Sequence, residues 1–90
     1  MFTIPRVNVI ESDEGYSAEV LGRTGVRYVR GQRAAFVDSE LLAGPAGLMI
    51  IAKSIVKWDD GTAIFDAERL QIVDDIRRAF GYRGFEIEVI

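Results

Sequence analysis

Two hydrophobic periods divide this chain. Through the first forty residues apolar and polar positions alternate, the period of a half-buried strand. Residues 3–10 read as one extended segment, with Val7 and Val9 on one face and Arg6 and Asn8 on the other. Ser12, Asp13, Glu14 and Gly15 make a turn, after which Tyr16, Ala18 and Val20 share a face. The stretch Gly22, Arg23, Thr24, Gly25 is a second turn and Gly31-Gln32 a third, so a meander of antiparallel hairpins is predicted, followed by a further strand over 34–38. The segment Leu41, Leu42, Ala43, Gly44, Pro45, Ala46, Gly47 breaks the pattern, because Pro45 lacks a ladder donor. Residues 48–55 are the most apolar run, and their length and β-branched Ile50 and Ile51 predict a central strand.

From residue 66 the period changes to that of a helix. Leu70, Val73, Ile76 and Phe80 form one face, widened by Ile72 and Ala79, with Asp74, Asp75 and Arg78 outward. Asp66 suits the N-cap, Glu68 the first turn, Arg77 and Arg78 the last turn, and Gly81 the C-terminal cap. Alternation then returns, with Phe85, Ile87 and Val89 on one side and Glu86 and Glu88 on the other. The fold class expected is α+β: an antiparallel, meander-like sheet of five or six strands, one C-terminal helix packed on one face, and a final strand. Residues 1–90 read as a single domain whose strand order stays open.

Composition narrows the function more than the fold. A chain of 90 residues buries only roughly 60–65% of its unfolded surface, so function is expected on a face or edge rather than in a deep pocket. There is no cysteine, hence no disulfide framework and no thiolate metal site. Histidine is absent too, which removes the usual general base and the commonest metal ligand; an enzyme is not expected, nor a cofactor or a metal. No apolar stretch reaches the length of a membrane span, so a cytoplasmic chain without membrane contact is expected. The net charge is −3, but its distribution is uneven. Arg23, Arg27, Arg30 and Arg33 fall in a stretch without acids, whereas Asp59, Asp60, Asp66, Glu68, Asp74 and Asp75 make the later part acidic.

Candidate chemistry is sparse. Asp59 and Asp60 are adjacent on a loop with Gly61 and lack the spaced acids of a calcium loop, so Asp66 or Glu40 could join them only through folding. A solvated turn with Gly61 at positive φ is the simpler reading. Ser54 beside Lys53 faces the other way on a strand, and Gly22 and Gly25 precede no helix that would aim amides at phosphate. Arg23, Arg27, Tyr28 and Arg30 compose a charged and aromatic hairpin of the kind that grips single-stranded nucleic acid, although Arg27 and Arg30 fall on opposite faces. Trp58, the only tryptophan, would ordinarily pack in the core or at its rim. Exposed beside Asp59 and Asp60 it would anchor a protein interface, and Trp58→Ala would then weaken association without loss of fold.

The order of features has a familiar counterpart. Ser39, Glu40, Leu41, Leu42, Ala43, Gly44 and Pro45 lead into an apolar segment that passes through Ala52, Lys53, Ser54, Ile55, Val56 and Lys57 to Trp58. Asp60-Gly61, a helix containing Ile72, Val73, Asp74, Asp75, Ile76 and Arg77, and a closing Phe85, Glu86, Ile87, Glu88, Val89 follow. This arrangement resembles the immunity protein 74 family of bacterial polymorphic toxin systems, over about residues 15–90, with the family's Glu and Trp falling on Glu40 and Trp58. The compact, proline-free loop after Trp58 departs from the family's longer one. The resemblance implies a non-catalytic cytoplasmic protein that binds and neutralises a cognate toxin, with Trp58, Asp59, Asp60 and Glu40 as its contacts. A second copy of the chain is a further candidate partner, nucleic acid a weaker one.

The helix–sheet seam offers a first test. Ile76→Asp would place an unpaired carboxylate there, and loss of the cooperative thermal transition followed by circular dichroism is expected.

Overall fold

Extended segments of four or five residues alternate with short turns through the first half of the chain, and each turn folds the next strand back on the last. The computed structural model describes residues 1–42 and 47–90. Strands β1 (Phe2–Arg6), β2 (Val9–Ser12), β3 (Tyr16–Val20), β4 (Val26–Arg30) and β5 (Arg33–Val37) form one antiparallel sheet in sequence order, as the meander reading expects. Residues 3–10 are not one strand. Val7 and Asn8 form the hairpin turn, and Val7 is 81% exposed. Asn8 stabilises that turn: its carbonyl accepts from the Val20 amide at 2.9 Å, and its side-chain amide donates to the Val20 carbonyl at 3.2 Å. Asparagine's aptitude for turns outweighed simple alternation.

A second sheet of three strands, β6 (Ser39–Leu41), β7 (Leu48–Ile50) and β8 (Ile87–Val89), has β7 at its centre. Strands β6 and β7 are antiparallel, whereas β7 and β8 are parallel, because the helix between them carries the chain back across the molecule. The expected strand over 48–55 is cut short, and Ala52–Ser54 form a 3-10 turn. Ser54 explains this. Its hydroxyl donates to the Ile51 carbonyl at 2.6 Å and accepts from the Asp38 amide at 2.9 Å, giving the backbone a local alternative to the ladder. The break expected over 41–47 falls largely on residues 43–46, outside the described residues.

The helix α1 (Asp66–Tyr82) lies across the inner face of the larger sheet. Phe65, rather than Asp66, is the N-cap, and the Glu68 carboxylate reaches back to accept from the Phe65 amide at 3.0 Å. The buried face runs through Ile72, Val73, Asp75, Ile76, Ala79 and Phe80, while Leu70 is 71% exposed. Against it the sheet sets Ala18, Tyr28 and Ala35 side by side, all fully buried. The two alanines leave room for the phenol ring between them. Trp58 belongs to this core at 4% exposure, together with Leu48, Ile50 and Ile55.

The glycine that closes the helix lies three residues beyond the expected one. Gly84 has φ +85°, the Phe85 amide donates to the Phe80 carbonyl and the Gly84 amide to the Gly81 carbonyl, both at 3.0 Å. This is a Schellman closure centred on Gly84, not Gly81. No basic residue falls in the last turn, so Arg77 and Arg78 do not complement the helix end as expected. Gly84→Ala is therefore expected to cost about 1 kcal/mol. Gly81→Ala, at helical angles with open space around it, should be neutral or stabilising by up to about 1 kcal/mol. Urea unfolding midpoints of the two variants check the assignment.

Candidate functional site

A charged residue lies at the centre of the helix–sheet seam. Asp75 is fully buried. One carboxylate oxygen accepts from the Tyr28 hydroxyl at 2.5 Å and the Arg30 guanidinium at 2.7 Å. The other accepts from the Gln71 side-chain amide at 2.7 Å and from Arg78 at 2.8 Å. Burial works to raise the Asp75 pKa, but hydrogen bonds from Arg30, Tyr28 and Gln71 and the Arg30 charge outweigh it and hold the carboxyl below the usual carboxylate range. Burial and the bond to Asp75 push the Tyr28 hydroxyl in the opposite direction. The expectation that Asp75 points outward is thus overturned. Ile72, Asp75, Ile76 and Ala79 follow the i, i+3, i+4, i+7 spacing of one helix face, and donors at i−4 and i+3 satisfy the acid on its own helix. This network has every acceptor filled, which suits a structural clamp rather than a reacting group.

The hairpin that offers the alternative of nucleic-acid binding gives two of its four named residues to that clamp. Tyr28 is fully buried and Arg30 is bound to both Tyr28 and Asp75, leaving Arg23 and Arg27 as the exposed members of the set. Stacking of a base on Tyr28 is excluded without opening the core.

Trp58 is packed rather than exposed. Its indole is covered by the Arg33 guanidinium, 4.2 Å from the ring centroid, and it lies against Tyr28. Truncating it would remove core packing together with any contact, so Trp58→Ala does not test an interface by itself. Asp59 and Asp60 are exposed on the turn that follows. The Asp59 amide is tied to the Ala34 carbonyl at 2.8 Å, at the edge of β5, and the Asp60 carboxylate accepts from the Thr62 amide at 2.8 Å. The Thr62 side chain and then its amide, by hydrogen bonding, hold the Asp60 carboxyl below its ordinary pKa. Gly61 has φ +89°, as the tight turn requires. Among the described residues no three histidine, cysteine, aspartate or glutamate side chains are grouped so as to hold a metal ion.

Glu40 lies elsewhere, on the small sheet, and its neighbours were not evident from the sequence. Glu40 pairs with Met49, and Met49 with Glu88, so the three form one row across β6, β7 and β8. Alternation puts Glu86 on the same face as Glu88. The opposite face of the sheet, carrying Ser39, Leu48, Ile50, Ile87 and Val89, turns inward. The outer face therefore presents three carboxylates, Glu40, Glu86 and Glu88, around a half-buried methionine. None of the three forms an ion pair among the described residues. Leu41, half exposed at the rim of this sheet, also lines an apolar depression with Val7, Leu48, Phe80 and Phe85. Carboxylates without ion pairs around an apolar centre make this outer face the surface best composed for a protein contact.

No family model matches the chain, and comparison with curated proteins and with solved structures finds no match either. Among the described residues no helix is long and apolar enough to cross a membrane.

Asp75→Asn tests the clamp. It is expected to cost about 2–3 kcal/mol at pH 7, less than a wholly buried pair because the arginine heads reach solvent. A depressed carboxyl stabilises the fold fully above its unfolded pKa of about 3.9 and loses that contribution as pH falls toward its folded value. The gap between wild type and variant should therefore narrow below about pH 4 in urea titrations; a gap unchanged from pH 7 to pH 2 would refute the ionised clamp.

Proposed function

We propose that this chain is a non-catalytic binding protein that neutralises a cognate bacterial toxin, and that the acidic outer face of the small sheet is its contact surface. The observation that supports this reading most is the row Glu40, Met49, Glu88, with Glu86 beside it: charge without internal partners around an apolar centre. The resemblance of the surrounding sequence to the immunity protein 74 family supplies the class of partner. Toxins that cleave nucleic acid carry basic active sites, and an acidic face steers association with such a surface and fits it once bound. The protein acts in the cytoplasm, where such a toxin would be met, and needs no cofactor.

Contacts are assigned to Glu40 and its neighbours on the sheet. Asp59 and Asp60, exposed on their own turn, are a second acidic element of the same surface chemistry, and Trp58 supports that turn from beneath. The arginine hairpin is given no part in binding nucleic acid.

The test uses a toxin candidate sought among the genes that flank this one. Co-expression with wild type should rescue growth, and the double variant Glu40→Lys with Glu88→Lys should lose rescue while keeping its thermal transition. Association measured by stopped flow should slow by about tenfold or more in that variant and fall with ionic strength in wild type. Full rescue by the double variant would remove the acidic face; absence of rescue and of any complex with wild type would remove the function.

A further inference from the structure

The strand that carries Glu88, and that Glu86 leads into, also has an open edge. Among the described residues strand β8 is the outermost of its sheet, hydrogen-bonded on one side only, to β7. Ile90, one residue on, shows which way the backbone groups point. Its amide donates to the Ile50 carbonyl at 3.0 Å and its carbonyl accepts from the Ala52 amide at 2.8 Å, so both groups face β7. In an extended chain successive residues present their N–H and C=O to opposite sides. Glu88 therefore shares the orientation of Ile90, while Ile87 and Val89 direct theirs away from β7. Among the described residues no backbone or side-chain group bonds to the Ile87 or Val89 amides or carbonyls on that side. Two donors and two acceptors stand in register along the edge, which is the template a further strand needs.

The side chains select which strand. Ile87 and Val89 turn inward, and Glu86 and Glu88 stand on the outer face with no ion pair among the described residues. A strand added here would place alternate residues beside those two carboxylates, and opposite charges at neighbouring positions stabilise such a pairing whereas like charges oppose it. A second copy of this chain, pairing β8 with β8 across a twofold axis, would bring Glu86 and Glu88 against their own counterparts. A strand carrying basic residues at every second position, with apolar residues between them, meets complementary charge and continues the inward apolar row.

We propose that the partner of this protein docks by adding a basic, alternating β-strand to the free edge of β8, with its cationic side chains on Glu86 and Glu88. This rests on the reading of the chain as a protein-binding module and adds the mode of recognition: main-chain bonds to Ile87 and Val89 give attachment, and the carboxylates give selectivity. Val89 offers a direct probe, since its N–H points outward. Proline there deletes an edge donor without removing a bond to β7, a substitution that edge strands accommodate.

The first measurements need no toxin. A labelled, capped seven-residue peptide alternating lysine and valine is titrated by fluorescence anisotropy at low salt, beside a glutamate–valine peptide and a shuffled lysine–valine peptide. The alternating lysine peptide should bind about tenfold or more tightly than either. It should also slow hydrogen exchange at the Ile87 and Val89 amides. Glu86→Lys with Glu88→Lys should reverse the preference toward the glutamate peptide. Val89→Pro should abolish binding; should that variant fail to fold, N-methylation of the peptide at alternate amides replaces it and should abolish binding from one edge of the peptide only. Equal binding of the shuffled peptide, unprotected Ile87 and Val89 amides, or a β8-paired dimer of this chain in sedimentation would overturn the proposal. An intact complex between the toxin candidate and Val89→Pro, with unchanged Kd, would sink edge docking while leaving neutralisation standing; peptide binding without rescue of growth would do the reverse.

Discussion

The buried carboxylate of Asp75 determines how the two layers of this protein meet. A helix carrying an acid at a core position can dock only where donors await it, and Tyr28 and Arg30 on β4 provide them. The four bonds consume the acceptor capacity of the carboxylate. Removing one side of such a pair strands charge in a place without water, so the helix has one favourable rotation against the sheet. Hydrophobic contact alone is less selective, because Ile72, Ile76 and Ala79 would pack acceptably over a range of rotations. Arg78 extends the clamp to Glu14 and Asp74 at the surface, and Arg30 lies over Tyr16, which stacks on Tyr28. The arginines that give the hairpin its basic appearance are in part internal ties.

The rest of the architecture follows from that rotation. With Ile76 and Phe80 turned inward, the helix runs on to Tyr82 and closes through Gly84. Phe85 then leaves the closure in the direction that lays β8 alongside β7 in parallel. Parallel pairing sets Glu88 level with Met49 and Glu40, and so assembles an acidic face from residues that are 48 positions apart at the extremes. A domain of this size has one core, and many of its large apolar side chains, Phe36, Leu41 and Leu70 among them, stay exposed. What it has left for recognition is sheet surface and sheet edge, and the small sheet offers both in one place.

Much of the fold was legible in the order of residues. Glycine-containing turns after Ser12, Leu21 and Arg30 mark the hairpins, and the shift from period two to period 3.6 marks the helix. The misreadings share a cause. Val7 was assigned to a strand because alternation ignores a two-residue turn, and residues 51–55 because apolar runs look extended until Ser54 bonds its own backbone. Asp75 was turned outward because charge outweighed spacing, although the helical period passes directly through it. The candidate site is only partly legible: Glu40 stands out through the resemblance, but Met49 reads as part of a central strand and Glu86 and Glu88 only as the polar side of the last strand.

Local chemistry, then, determined the elements, since turn propensity, capping and periodicity act over a few residues and need no distant partner. It also determined that histidine and cysteine chemistry is absent from this chain. Tertiary structure decided burial and neighbours: that Trp58 and Tyr28 are core, that Arg30 is a tie, and that Glu40 and Glu88 share a row. Those outcomes depend on which distant groups meet, and in this protein the meeting is fixed by one carboxylate that must find its donors when water is excluded.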